Sequence, residues 1–245
     1  MSERKAMGNG KTPVSAVVAI DGPSGSGKST VARKVAERFG LGYLDTGAMY
    51  RAATWWVMQK NITLTDRDAV SAAVRKMPLT VQTDPRRQNV ICGDTDITDV
   101  IRTSGLSKVV SQVATNPDVR KELIRRQREI IARECEPGGF SGGKGIVAEG
   151  RDITTVVAPD ADVRILLTAS REARLARRAR EVRGSDSAQA LAATRDEVLR
   201  RDRDDSAVSE FMTAQEGVTE IDSSNLTLEQ TVDAVAALVG GPRGE

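Results

Sequence analysis

Residues 22–29, Gly-Pro-Ser-Gly-Ser-Gly-Lys-Ser, fit the pattern G-x-x-x-x-G-K-[ST] at every fixed position. The residue types dictate a chemistry. Gly22, Gly25 and Gly27 let the backbone curl so that successive N–H groups point inward at phosphate oxygens, with Pro23, Ser24 and Ser26 completing the loop. Lys28 reaches toward the β- and γ-phosphates and the Ser29 hydroxyl is a ligand for Mg²⁺. Thr30 continues into a helix whose N-terminal partial charge favours an anion. ATP with Mg²⁺ is therefore the expected ligand, and a Gly-Ser turn without a ligand is the plain alternative. A second group of phosphate-seeking side chains lies between Arg171 and Arg183. There Arg174, Arg177 and Arg178 share one face by helical spacing, and a cationic lid over ATP fits that face. Arg151-Asp152 stands just beyond a short apolar run, where α/β proteins bind ligands.

These groups need strands and helices to position them. Val14–Ile20 is a short β-branched run read as a fully buried strand leading into the glycine loop, with a helix through Arg38 after it. Leu41–Leu44 reads as a second strand and Gly47–Lys60 as a helix. Leu79–Thr83, Asn89–Cys92 and Thr95–Ile97, with Gly93-Asp94 as a turn, predict a small antiparallel meander. Helices are expected over Ser104–Thr115 and Pro117–Glu134, the latter opened by proline in its first turn. Glu136–Gly145 is a Gly-rich stretch read as a flexible loop. Strands are expected at Ile146–Ala148, Val163–Thr168 and Glu220–Asp222, and helices at Ser170–Arg183, Asp186–Arg203 and Thr227–Val239. Strands separated by helices predict parallel β-α units with right-handed crossovers.

Composition removes whole classes of chemistry. The 245 residues contain no histidine, which excludes imidazole general bases, Ser-His-Asp and Cys-His nucleophilic sites and histidine-bound metals. Two distant cysteines, Cys92 and Cys135, make no CxxC pair, and such a chain reads as cytoplasmic. The longest early apolar run, Ala16–Ile20, is far short of the ~18–20 residues of a membrane span, and the polar start of the chain carries no secretion signal. No membrane partner is expected. Of 36 basic residues, 27 are arginine, whose planar fork suits phosphate. Net charge is only +2 and the seven aromatics do not alternate with basic residues, so a nucleic-acid partner is not expected. The strings N-K-x-D and D-x-x-G, which a GTPase needs, are absent. Phe140-Ser-Gly-Gly-Lys144 imitates an ABC signature but runs almost directly into a strand.

Several longer strings carry a family likeness: IDGPSGSGKST at 20–30, YLDTGAMYRA at 43–52, SQVA at 111–114, VRKELIRRQR at 119–128, EGRDITTVVAPDA at 149–161 and RDRDDS at 201–206. Together they resemble the bacterial cytidylate kinases, or CMP kinases, of the nucleoside monophosphate kinase group, over about Val17 to Leu238. The resemblance implies a three-layer α/β P-loop kinase fold with a five-stranded parallel sheet in the order 2-3-1-4-5. It also implies a small antiparallel insert that binds the acceptor nucleotide and a helical lid. The corresponding partition is a tail at 1–13, a core at 14–62, 104–169 and 206–240, the insert at 63–103 and the lid at 170–205. The implied reaction moves the γ-phosphoryl of ATP to CMP or dCMP, with Mg²⁺, and small nucleotides are the only partners of an expected monomer.

The same resemblance distributes roles. Thr46, Arg51, Ser111, Arg120, Arg151, Asp152, Arg201 and Asp205 would bind the acceptor nucleotide, and Lys28, Arg151, Arg174 and Arg178 would serve the transfer. Thr46 would also cap the helix it opens. Asp152 would accept a hydrogen bond from the exocyclic amine of cytosine, whereas a uracil carbonyl there meets a carboxylate and is repelled. The acceptor phosphate is already ionised at neutral pH, so no general base is needed, in keeping with a histidine-free chain. This chain departs from the family pattern in three places. Glu149 stands where Asp is common, Val208 where an arginine is usual, and Phe211-Met212 where Pro-Leu is usual. A UMP kinase, and more remotely an RNA-associated P-loop ATPase, are the competing readings.

Overall fold

The buried run Ala16–Asp21 forms β1, the central strand of a five-stranded parallel sheet. The structure is a computed structural model describing residues 15–185, 187–206, 209 and 211–241. The side chains of residues 104, 181–183, 188, 193, 196, 197, 200, 201 and 205 lie outside the described set, as does the expected tail at 1–13. Strand β1 pairs on one side with β6 (Gly145–Gly150) and on the other with β7 (Val163–Thr168). Outside these lie β2 (Gly42–Asp45) against β6 and β8 (Thr219–Asp222) against β7. The order β2-β6-β1-β7-β8 is the expected 2-3-1-4-5 with the strands of this sheet numbered among themselves. Strand order reverses at β1, so the carboxyl ends of β1 and β6 flank the crevice where such sheets hold ligands. Register places Asp21 opposite Gly150, which sets the glycine loop beside Arg151-Asp152.

Helices cover both faces. On one, α1 (Lys28–Phe39) and α9 (Leu228–Gly240) bury Val31, Val35, Val232 and Val235 against Val18, Ile20, Val147 and Ile165. On the other, α2 (Thr46–Gln59) and α6 (Pro117–Glu134) bury Met49 and Ile131 against Ala19, Leu44, Ile146 and Ala148. The stretch 63–103 contains the expected antiparallel sheet, β3 (Leu79–Val81), β4 (Val90–Cys92) and β5 (Thr95–Asp96). Before it comes a helix the sequence reading left out, α3 (Arg67–Arg75). Asp66 caps α3 by accepting from the Ala69 N–H at 3.0 Å, and its apolar stripe, Val70 and Val74, packs with Ala52, Val57, Ile97 and Ile101.

The single helix expected over 104–115 is instead a 3₁₀ turn at Val100–Arg102 followed by two short helices, α4 (Ser104–Ser107) and α5 (Val110–Ala114). Gly105, three serines and the β-branched pair Val109-Val110 are too poor in helix propensity to sustain one run. The Gly-rich loop is present but pinned. Buried Glu134 accepts from the backbone N–H groups of Phe140 at 3.1 Å and Ser141 at 3.0 Å, and from the Thr83 hydroxyl at 2.7 Å. Helices α7 (Arg171–Arg183) and α8 (Ala188–Ser206) pack on one another beyond β7. Ile153–Val157, which carried no element in the sequence reading, makes one π-helical turn after β6. Among the described residues no helix is long and apolar enough to cross a membrane.

Candidate active site

A cleft of about 580 Å³ opens over the carboxyl ends of β1, β2 and β6, lined by residues of the glycine loop, α2, α5, α6 and α7. Its floor is the loop at 22–29. Gly27 precedes α1 with a φ of +90°, a left-handed conformation that only glycine adopts without strain, and Lys28, Ser29 and Thr30 of the first helical turn line the cleft after it. At Gly25, with φ +78°, an added Cβ would come within 2.5 Å of the Arg174 carbonyl oxygen. The loop is therefore seated directly on α7. Arg174 donates to the Ser24 carbonyl at 3.1 Å and pairs with Asp202 of α8, whose other oxygen accepts from the Ser24 N–H at 3.1 Å. Arg177 donates to the Ser26 carbonyl at 3.1 Å and to the Ser223 carbonyl at 2.6 Å. Of the three arginines read on one face of α7, two thus clasp the loop backbone, and Arg178 lines the cleft. Arg174 is 6% exposed and does not line it.

A hydroxyl and a carboxylate meet at the start of α1. The Ser29 hydroxyl donates to Glu149 Oε1 at 2.7 Å, and Lys28 Nζ lies 3.9 Å from Oε2 and 3.4 Å from the Pro23 carbonyl, to which it donates. Burial, and then repulsion from Asp45, push the Glu149 carboxyl above the usual range, while Lys28, the Ser29 hydroxyl and Arg151 pull it back. A hydroxyl and a carboxylate facing a phosphate cradle are hard oxygen donors of the kind Mg²⁺ takes, so these residues fit the ion.

The opposite wall of the cleft is built from α2, α6 and the residues after β6. Asp45, not Thr46, caps α2, accepting from the Ala48 N–H at 2.9 Å. The Thr46 hydroxyl instead donates to the Glu149 carbonyl at 2.8 Å. Thr46 is already inside the helix, so the residue before it holds the capping position. Arg51 meets Asp45 at 2.9 Å. Burial raises the Asp45 carboxyl, but Arg51 and Arg102, with the Ala48 N–H and Lys28, outweigh it and hold the group below its ordinary value. Arg120 of α6 pairs with Asp152 and donates to the Ser209 hydroxyl at 3.2 Å, with its guanidinium 6.0 Å from the centre of the Tyr50 ring. Burial pushes the Asp152 carboxyl up, and Arg120 partly offsets it. Arg151 donates to the Gly22 carbonyl at 2.7 Å and lies 4.9 Å from the centre of the Phe211 ring. Phe211, the unusual residue of the sequence reading, is thus a fully buried platform under that guanidinium.

The structure brings together at the cleft Ser24, Gly25, Gly27, Lys28, Ser29, Thr30, Thr46, Arg51, Arg120, Arg151, Asp152 and Arg178. Gly22, Pro23 and Ser26 belong to the loop without lining the cleft. Ser111 does not line it either; its helix contributes Val110 and Ala114. The side chains of Arg201 and Asp205, and all of Val208, lie outside the described residues. Sequence reasoning missed Arg102, Asp45, Tyr50 and Ser209 as cleft residues. Arg102 sits on the 3₁₀ turn at the exit of the 63–103 stretch, its N–H donating to the Asp99 carbonyl at 3.0 Å and its side chain lining the cleft. No local pattern marks it, because only the fold of that stretch carries it to Asp45.

The sequence model of the cytidylate kinase family matches residues 18–240. A cytidylate kinase of Streptomyces avermitilis is 43% identical over 95% of this chain and 96% of its own length. One of Nocardia farcinica is 46% identical over 91% and 93%, and one of Carboxydothermus hydrogenoformans is 37% identical over 91% and 96%.

Proposed function

The chain belongs to the cytidylate kinase family, enzymes that phosphorylate CMP, and from that premise we propose that it transfers the γ-phosphoryl of ATP to CMP or dCMP, giving CDP or dCDP. The observation that carries this reading is the shared cleft. The phosphate cradle with Lys28 and the Arg120–Asp152 pair line one 580 Å³ space, with Arg51, Arg102, Arg151 and Arg178 also on its walls. A triphosphate seated in the loop and a pyrimidine at Asp152 would point their phosphates at each other.

An ionised oxygen of the acceptor phosphate forms the new P–O bond, the bond between the γ-phosphorus and the β-bridging oxygen breaks, and ADP leaves. No proton need be removed from the nucleophile, so positioning and charge neutralisation carry the catalysis. Lys28 holds the β- and γ-phosphates. Arg51 and Arg102 hold the acceptor phosphate, and Arg151 and Arg178 neutralise the phosphoryl in flight. Arg174 serves from behind, fixing the Ser24 carbonyl and hence the loop. Mg²⁺, held by Ser29 and Glu149, would supply charge neutralisation across the β- and γ-phosphates. Asp152, oriented by Arg120, accepts from the cytosine amine and repels a uracil carbonyl. Helices α7 and α8 act as the lid and 63–103 as the acceptor-binding insert. Initial rates with ATP, Mg²⁺ and CMP, dCMP, UMP or AMP test this. CMP or dCMP should be preferred, and a clear preference for UMP overturns it.

A further inference from the structure

Asp21, the last residue of β1, is 1% exposed and takes no part in the transfer described above. Its Oδ1 accepts from the Ile153 N–H at 2.9 Å, and its Oδ2 accepts from the Thr154 N–H at 2.8 Å and the Thr154 hydroxyl at 2.7 Å. All three bonds go to the first two residues of the π-helical turn, which begins immediately after Asp152. The other end of that turn is also held, since Arg128 of α6 donates to the carbonyls of Val156 at 2.6 Å and Val157 at 3.1 Å. The same helix carries Arg120, the partner of Asp152. A single π turn made of Ile, Thr, Thr, Val and Val has little intrinsic stability, because its side chains are stiff and its hydrogen-bond ring is the rare one. Its geometry is imposed from β1 and α6.

We propose that Asp21 is a positioning residue for acceptor recognition: by anchoring the start of the π turn it sets the directions in which Arg151 and Asp152 leave β6, and so governs base selectivity without touching a substrate. This rests on the CMP-phosphorylating reading given above. The carboxylate is specifically required. Three donors converge on two oxygens, and an asparagine would present its NH₂ to at least one of them. A role confined to stability would lower the melting temperature while leaving the choice between CMP and UMP alone.

The test is steady-state kinetics of the full chain carrying Asp21→Asn or Thr154→Val, with CMP and UMP as acceptors, KM for ATP measured in parallel, and thermal unfolding. Asp21→Asn should raise KM for CMP about tenfold, the scale of one lost hydrogen bond to a charged group, and lower the CMP/UMP ratio of kcat/KM by at least about fivefold. KM for ATP should stay within about twofold. Thr154→Val removes only the hydroxyl bond and should move the ratio the same way by a smaller factor, about threefold. If Asp21→Asn does not fold, Thr154→Val decides alone. An unchanged CMP/UMP ratio in the folded variants, or ATP and CMP affinities falling together, overturns the proposal. A wild-type protein that prefers UMP overturns instead the reading beneath it.

Discussion

Asp152 joins a structural contact to the selection rule proposed for it. Its carboxylate pairs with Arg120 inside the cleft, so its direction is set before a nucleotide arrives. Asp152→Ala should lower the CMP/UMP ratio of kcat/KM by about tenfold or more, the scale of a lost charged hydrogen bond. Competing initial rates with the two acceptors measure it. The same residue gives a pH dependence with a definite sign. Burial raises its carboxyl above the ordinary aspartate range. Acidification therefore protonates it earlier than a solvent-exposed aspartate, and the protonated group no longer accepts freely from the cytosine amine. The CMP/UMP ratio should be full near neutrality and fall as the pH is lowered into the acidic range, sooner than an ordinary aspartate would allow. The ratio isolates this effect, because in the proposed transfer Glu149, whose carboxyl is also raised, would serve either acceptor equally. A ratio flat across that range would count against the role given to Asp152.

At the scale of elements, helices α7 and α8 hold the glycine loop from behind. The Arg174–Asp202 pair, with side chains 7% and 10% exposed, bonds both the N–H and the carbonyl of Ser24. Removing one partner leaves a buried charge without its counter-ion, which costs about 3–5 kcal/mol. Asp202→Ala should therefore lower the midpoint of thermal unfolding by several degrees and raise KM for ATP, with a smaller effect on KM for CMP. The 63–103 stretch acts on the opposite side of the cleft. Its own apolar cluster, including Val70, Val74, Ile97 and Ile101, fixes the 3₁₀ turn that presents Arg102. Arg102→Ala should raise KM for CMP about tenfold, as expected for a lost charged hydrogen bond, with KM for ATP nearly unchanged. Equal effects on both substrates would remove Arg102 from the acceptor side.

For the whole molecule, the balance between charge and position matters more than the total. Net charge is +2, yet five arginines and Lys28 line one cleft. Bound polyanions relieve that concentration of like charge, so nucleotide binding should stabilise the fold. At about a hundred times its Kd, each ligand adds about 2.7 kcal/mol to the free energy of unfolding. Thermal melts with a non-hydrolysable ATP analogue, with CMP, and with both should show rises for each ligand. The pair should give more than the sum if both share this cleft. No shift with CMP at millimolar concentration would argue that the acceptor site is misplaced.

Local patterns settled much about this protein. The glycine loop, the buried strands at 16–21 and 163–168 and the helix at 117–134 are all legible in the sequence. Each depends on residues a few positions apart and on periodicities of two or 3.6. The strings on either side of the loop pointed to the family for the same reason, being contiguous. What closes through space was not legible. Ser29 meets Glu149 from 120 positions away, Asp202 reaches Ser24 from 178, and Arg120 reaches Asp152 from 32. Arg174 had the spacing of a cleft arginine, but its side chain turned to the loop backbone. Asp21 fell just past the expected strand and carried no role until the π turn folded onto it. Sequence spacing fixes which face of an element a side chain occupies. What that face meets depends on the packing of the sheet and the helices on it, and here that packing decided which charged groups line the cleft and which hold the loop beneath it.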